Sequence, residues 1–201
     1  MHRLDRDTSG VLVLSKDAEA NRMLKAAFSG RTVRKRYEAL VRGHLAEDYY
    51  DVRAAIGAAD GPIRIQMAVR DDGLPARTEL HVLARGGNET CPMSRVRCTL
   101  HTGRTHQIRV HCAHVGQGLV GDRMYGVPPA VFLRAWEHGV DTQVLREAGA
   151  PRHALHAASI AFVHPDGHEL EVEAPWPTDL DRWWHHPECL PLDGFGDDSG
   201  A

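Results

Sequence analysis

Apolar and polar residues change period several times along the chain, and each change marks an element. GVLVLSK, residues 10–16, is a continuous apolar stretch of strand length. Behind it, AEANRMLKAAF sets Ala20, Met23, Leu24 and Ala27 along one helical stripe, with Asp17 placed to cap the first turn and Gly30 to close the last. In RTVRKRYEALVRG, residues 31–43, Tyr37, Ala39 and Val41 alternate with Arg36, Glu38 and Leu40, which is the period of a half-buried strand approached by a basic run.

ARTELHVLARG and SRVRCTLHTG repeat that two-residue period, the second with Val96, Cys98 and Leu100 on one face and Arg95, Arg97, Thr99 and His101 on the other. A helix is expected from about His106 to Val115, closed by Gly116, and another in PPAVFLRAWEHG. ALHAASIAFVHPDGHELEVEAP reads as two strands joined at Pro165, Asp166 and Gly167, and TDLDRWW as a short capped helix. Antiparallel strands with interspersed helices predict an α+β fold, a mixed and mainly antiparallel sheet with flanking helices, instead of the regular alternation of a doubly wound sheet. No glycine-rich dinucleotide fingerprint, phosphate loop or nucleophile elbow is present, which removes the main support for a cofactor-binding fold.

With 201 residues, 42% of them hydrophobic, the chain suits one domain with a real core. We read residues 1–185 as that domain and 186–201 as a flexible acidic tail. Cys91, Cys98, Cys112 and Cys189 form no C-x-x-C pair and read as reduced thiols. No apolar run approaches the roughly 18 residues of a membrane span, and nothing near Met1 has the layout of a secretory signal, so a cytoplasmic location is the default expectation. The net charge of −3 is unevenly spread: residues 1–112 hold 19 Lys and Arg against 13 Asp and Glu, and residues 113–201 hold 5 against 14. A polyanionic partner should therefore meet the first half, although the acidic tail accounts for part of the asymmetry.

Three stretches could carry chemistry. In HRLDRDTSG, Arg3 and Arg6 flank Asp5 and favour its carboxylate form, as suits a nucleophile or base, while the same residue types also make an ordinary solvated turn. In TGRTHQIRVHCAHVGQGLVGDRMYG, Arg104 belongs to the loop after a strand and Arg109 to the helix beyond it, so only Arg109 is placed to point from a helix into a site. His101, His106, His111, Cys112 and His114 lie close in this stretch, yet no spaced cysteine pair completes a zinc pattern, and they read as ordinary imidazoles and a thiol rather than a metal site. In RKRYEALVRG, Tyr37 comes after Arg34, Lys35 and Arg36; it could stack on a base while the cations track phosphates, or be a core aromatic beside a wet face.

Taken in order, HRLDRDTSG, KRYEALVRG and GRTHQIRVH...GLVGDRMYG closely resemble the three signature regions of the RluA-type pseudouridine synthases, which isomerise uridine in ribosomal and transfer RNA. The similarity extends over essentially the whole chain, through IQMAVRDDGLPARTEL and LHAASIAFVHPDG...LEVEAPWPTDL. It implies an RNA pseudouridine synthase, an isomerase acting without metal or organic cofactor and with RNA as its partner, working as a monomer away from any membrane. By the same resemblance, Asp5 is the aspartate that attacks the uridine at its ring or sugar, or removes a sugar proton. Arg109 pairs with that aspartate. Tyr37 stacks on the target base and is a candidate for removing the C5 proton, and Arg3 occupies the place that the everted nucleotide leaves in the RNA. Arg34, Lys35, Arg36, Arg104 and His106 are the remaining expected substrate contacts.

The chemistry suits these residues. Breaking the C–N glycosidic bond, turning the uracil and rejoining it through carbon calls for a dry pocket with a paired carboxylate. The target atom is out of reach inside a stack, so the nucleotide must be extruded at a cost of a few kcal/mol. The resembled family carries a strand–helix region ahead of its H-R-L-D motif. The expectation is thus that this chain begins in the middle of a fold, with Met1 as an internal GTG codon taken for a start, several strands short of neighbours and Asp5 on a fraying terminus. The alternatives are a catalytically silent RNA-binding remnant or gene fragment and, further off, a metal-dependent hydrolase.

Overall fold

The computed structural model describes residues 2–187. In chain order the elements are β1 (Ser9–Gly10), α1 (Ala18–Ser29), β2 (Arg34–Arg42), β3 (Tyr49–Val52), β4 (Ile56–Ala58), β5 (Met67–Val69), β6 (Thr78–Gly87), β7 (Pro92–Leu100), α2 (Gln107–His114), α3 (Pro129–His138), α4 (Thr142–Ala148), β8 (Leu155–Val163), β9 (Glu169–Glu173) and α5 (Thr178–His185). One sheet runs β1, β8, β2, β7, β6, β3, with β9 also paired to β8, and β4 and β5 form a separate hairpin. Only the β1–β8 pairing is parallel in the main sheet; every other pairing is antiparallel. The architecture is the expected α+β arrangement.

β2 is the spine. Its register sets Tyr37 opposite Cys98 of β7 on one side and Ala157 of β8 on the other. Alternation gave half a strand to solvent, but Ala39, Leu40 and Val41 are all fully buried. The reason is that both faces are covered. Ala39 and Val41 pack with Val96, Cys98, Ile108 and Cys112 under α2, while Leu40 packs with Met93, Leu180 and Trp183 under α5. Each valine, leucine or isoleucine so buried contributes about 1.5–3 kcal/mol.

α1 forms as its pattern predicts: the Asp17 carboxylate accepts from the Ala20 N–H at 2.8 Å, and Leu24 buries against Val33, Ile160 and Phe162. The β8–β9 hairpin turns at the expected Pro-Asp-Gly. GVLVLSK does not form the strand read from its apolar run. Strand pairing stops at Gly10, whose φ of 110° takes it out of the extended region, and the Val13 N–H is taken by the His2 Nε2 at 3.0 Å instead of a neighbouring strand. Leu12 and Leu14 are left exposed.

Cys91, Cys98 and Cys112 are free thiols, and the reading of Cys189 lies outside the described residues, as does the expected tail from 188 onward. Among the described residues no helix is long and apolar enough to cross a membrane.

Candidate active site

Asp5 is fixed by the turn and strand directly after it. The Thr8 N–H donates to the Asp5 carbonyl at 3.0 Å, and β1 is then pinned to β8 with Ser9 beside His156 and Gly10 beside Ala157. Ser9 Oγ meets His156 Nδ1 at 3.0 Å, and Thr8 Oγ1 meets His153 Nε2 at 2.8 Å. Asp7 pairs with Arg123, and its carbonyl accepts from Arg152. These long-range contacts hold the Asp5 segment in place, where free termini fray.

Arg109 reaches Asp5 from the first turn of α2. Its Nη1 donates to Asp5 Oδ2 at 3.2 Å, while Nε and Nη2 grip both oxygens of Asp122 at 2.7 and 2.9 Å. Asp122 is fully buried and also accepts from the Met124 and Tyr125 N–H groups, at 2.9 and 3.1 Å. Burial opposes its charge, but Arg109 outweighs it and holds the Asp122 carboxyl below the ordinary range. Burial likewise opposes the charge on Arg109, and the carboxylates overcome it. The guanidinium lies 4.9 Å from the centre of the Tyr125 ring, a favourable cation–π distance.

Tyr125 links this pair to His106. Its hydroxyl accepts from the Met67 N–H at 2.9 Å and shares a hydrogen bond with His106 Nδ1, 2.8 Å away. The other ring nitrogen, His106 Nε2, lies 4.0 Å from Asp5 Oδ2. Burial and the Arg109 charge push the His106 imidazole down, in keeping with a neutral ring. His106 holds a φ of 56°, an unusual conformation for a residue with a side chain, at the start of α2. The loop before it is braced by Gln107, whose amide uses all four hydrogen-bonding positions: it accepts from Thr102 Oγ1 and the Arg104 N–H and donates to the Arg77 carbonyl and Thr78 Oγ1. Both His111 nitrogens are likewise used, on Thr78 and the Ala54 carbonyl.

Of these residues Asp5, His106, Gln107 and Arg109 line a groove of about 1400 Å³ between the end of α1 and the loop 101–106, with β2 beneath. The groove brings together every residue expected at the site: Asp5, Tyr37 and Arg109 with Arg3, Arg34, Lys35, Arg36, Arg104 and His106. Burial and the Asp5 charge push the Tyr37 phenol up to about 12, so it keeps its proton at neutral pH. The cations are not equivalent. Arg34 pairs with Glu169, and Arg36 with Glu171 and Glu173, all three on β9. Arg3 and Arg104 have no carboxylate partner among the described residues, the Arg104 side chain donating to the Pro75 carbonyl.

The sequence alone does not single out Asp122, Tyr125 or His153. GDRMYG stands out as a motif, but nothing in its spacing shows that its aspartate turns back onto Arg109. Burial, with the Arg109 charge adding, pushes His153 down to about 4. One cluster has metal-ligand geometry among the described residues: His164, Asp166 and His168, at the β8–β9 turn, with ligand atoms within 4.8 Å of one another and no part in the groove.

The sequence profile of the RNA pseudouridylate synthase family matches residues 1–114. A ribosomal large subunit pseudouridine synthase D from Xanthomonas campestris pv. campestris is 40% identical over 189 residues, covering 90% of this chain and 52% of that protein. The protein of the same name from Escherichia coli K12 is 38% identical over 187 residues, with 90% and 52% covered. The chain spans about half the length of these curated relatives. Among solved structures, human RNA pseudouridylate synthase domain containing 1 superposes with a TM-score of 0.73 at 32% identity, covering 91% of this chain and 71% of that one. Human RNA pseudouridylate synthase domain containing 4 shares the fold, with a TM-score of 0.68 at 21% identity over 92% of this chain and 73% of that one. With the profile spanning more than half of its residues and the site motifs gathered in one groove, the chain belongs to the RNA pseudouridylate synthase family.

Proposed function

We propose that the protein isomerises a uridine of ribosomal RNA to pseudouridine, with Asp5 as the catalytic carboxylate. The observation that carries this reading is the Asp5–Arg109 pair, 3.2 Å apart in a groove lined by cations and Tyr37. The ribosomal substrate is inferred from the names of the bacterial relatives.

The reaction breaks the N1–C1′ bond and forms a C5–C1′ bond; the proton on C5 leaves and N1 ends protonated, so nothing is gained or lost overall. Asp5, partnered by Arg109, suits attack on the ring, attack on the sugar and removal of a sugar proton alike. Arg109 cannot lose its proton at any working pH and gives Asp5 a fixed partner while charge moves. Tyr37 offers a ring to stack on the everted base, as protein aromatics do in RNA recognition. Arg3 is exposed at the groove and free to fill the gap in the RNA stack. The His106 imidazole stands beside the Asp5 carboxylate, its Nε2 4.0 Å from Oδ2, and forms one wall of the groove around it.

The test is incubation of the purified chain with large-subunit ribosomal RNA transcripts and then mass spectrometry of the digested nucleosides. Pseudouridine that forms with the wild type and not with Asp5→Ala supports the proposal. RNA binding with no conversion by the wild type overturns it in favour of a binding protein of the same family.

A further inference from the structure

Arg31 is one of only two described residues other than glycine with a positive φ, at 58°. It directly succeeds Gly30, the C-cap of α1, where chains that turn left-handed use glycine because a side chain crowds its own carbonyl. Nothing in the packing explains the arginine: its side chain is exposed, and among the described residues it has no carboxylate partner. It lines the groove of the Asp5 site. A strained position that keeps a long cation in a binding groove points to a use for that cation.

Lys35 shares this end of the groove. Its Nζ lies 6.0 Å from the centre of the Phe28 ring, and 3.4 Å from where a Cβ on Gly103 would stand, so it reaches across from β2 to the loop before α2. It too lacks a carboxylate partner among the described residues, and His2, stacked on Phe28 at 4.7 Å, supplies none. The neighbours in sequence behave differently: Arg34 and Arg36 are held by Glu169, Glu171 and Glu173 of β9. Alternation along β2 thus separates the neutralised Arg34 and Arg36 from Lys35, which, with Arg31 ahead of the strand, is unspent.

We propose that Arg31 and Lys35, flanking Phe28 at the end of α1, form a subsite for a backbone phosphodiester of the bound RNA. The subsite rests on the functional reading above and adds Arg31 to the residues that meet the substrate. Burial lowers the Lys35 pKa only from a high starting point, and a phosphate would restore what the protein withholds.

The experiment measures the Kd of a large-subunit ribosomal RNA transcript by filter binding across a KCl series. It compares the wild type, Arg31→Gly, Arg31→Lys, Lys35→Gln and, as a control for net charge, Lys16→Gln, an exposed cation outside the groove. A neutralised phosphate contact carries about 0.7 to 0.9 of the slope of log Kd against log salt. Arg31→Gly and Lys35→Gln are each expected to flatten the slope by that amount, while Arg31→Lys and Lys16→Gln keep it. Arg31→Gly is also expected to melt no lower than the wild type, because glycine suits the backbone there. An unchanged slope in Arg31→Gly overturns the subsite, and a lower Tm with an unchanged slope assigns Arg31 a structural role instead. A wild type that binds the transcript with no salt dependence fails at the level of the functional reading, a different result from a variant that matches a salt-dependent wild type.

Discussion

Asp122 holds the Nε–Nη2 edge of Arg109 through two hydrogen bonds of 2.7 and 2.9 Å, and this leaves one corner of the guanidinium for Asp5. The Asp5 carboxylate therefore meets an arginine that is already anchored from behind. Removing Asp122 would leave a buried guanidinium with Asp5 as its one ionic partner, and stranding one member of a buried pair costs about 3–5 kcal/mol. Asp122→Ala should lose that much stability in urea unfolding, and Asp122→Asn, which keeps some of the hydrogen bonds, less. Where Asp122→Asn still folds, its turnover should fall about 100-fold, since displacement of a catalytic group by about 1 Å has that effect. Near-wild-type turnover would show that Asp5 does not depend on the anchoring of Arg109.

Tyr37 should keep its proton far into the alkaline range. Burial and the charge on Asp5 raise its phenol from the usual 10.0 to about 12. The folded state then holds the proton more tightly than the unfolded one, so the associated stability is complete below pH 10 and is lost as pH rises from 10 to 12. Over that range the effect amounts to about 3 kcal/mol. Ultraviolet difference titration of the wild type against Tyr37→Phe should show one phenol ionising near the top of that window, and the variant should lose stability less steeply across it. A midpoint near that of free tyrosine would place Tyr37 in a wetter setting than the groove provides.

His153 produces the opposite limb. It is buried against Thr8 and pushed down from 6.5 to about 4, so below pH 6.5 the unfolded chain takes up a proton that the folded chain refuses. Its contribution is present above pH 6.5 and lost as pH falls through 4, up to roughly 3 kcal/mol. His106, His111 and His156 are lowered in the same direction and steepen the same limb. Urea midpoints at about pH 7, 5.5 and 4.5 should fall less in His153→Gln than in the wild type. Equal slopes for the two proteins would exclude His153 as a source of acid sensitivity.

How much of the molecule is legible in its sequence depends on the range of the forces involved. The α1 cap at Asp17 and the turn at Pro165, Asp166 and Gly167 are decided by neighbours in sequence, and both stand where their residues predict them. α4 is absent from the elements that the pattern predicts, although it carries local signals, an aspartate cap at Asp141 that accepts from the Val144 N–H and a glycine close at Gly149. GVLVLSK misleads because an apolar run does not reveal whether a partner strand lies alongside. At the site, Asp5 and Arg109 are related only through a family resemblance, since nothing local connects positions 104 residues apart. The capture of Arg34 and Arg36 by β9 could not be read at all. It depends on β8 pairing with β2 along one edge and with β9 along the other, so that the arginines reach across β8, an arrangement fixed by the whole sheet.

Gly10 tests how tightly the start of the chain is built into the site. Its φ is 110°, and an added Cβ would collide with the backbone of Ala157, the residue it pairs with in the parallel β1–β8 contact. Gly10→Ala combines a strained φ with a steric clash, so it should cost more than about 1 kcal/mol and move the turn that holds Asp5. Gly116 separates the two effects: its φ is 93°, but an added Cβ meets nothing within 4 Å. Gly116→Ala should therefore show the backbone strain alone, about 1–2 kcal/mol in thermal unfolding, and match the wild type in the nucleoside assay of the proposed activity. Gly10→Ala should lose more stability and most of its rate. If both variants lose the same stability and both keep their rates, the β1–β8 contact does not position Asp5, and the turn from Asp5 to Thr8 together with Arg109 must hold it unaided.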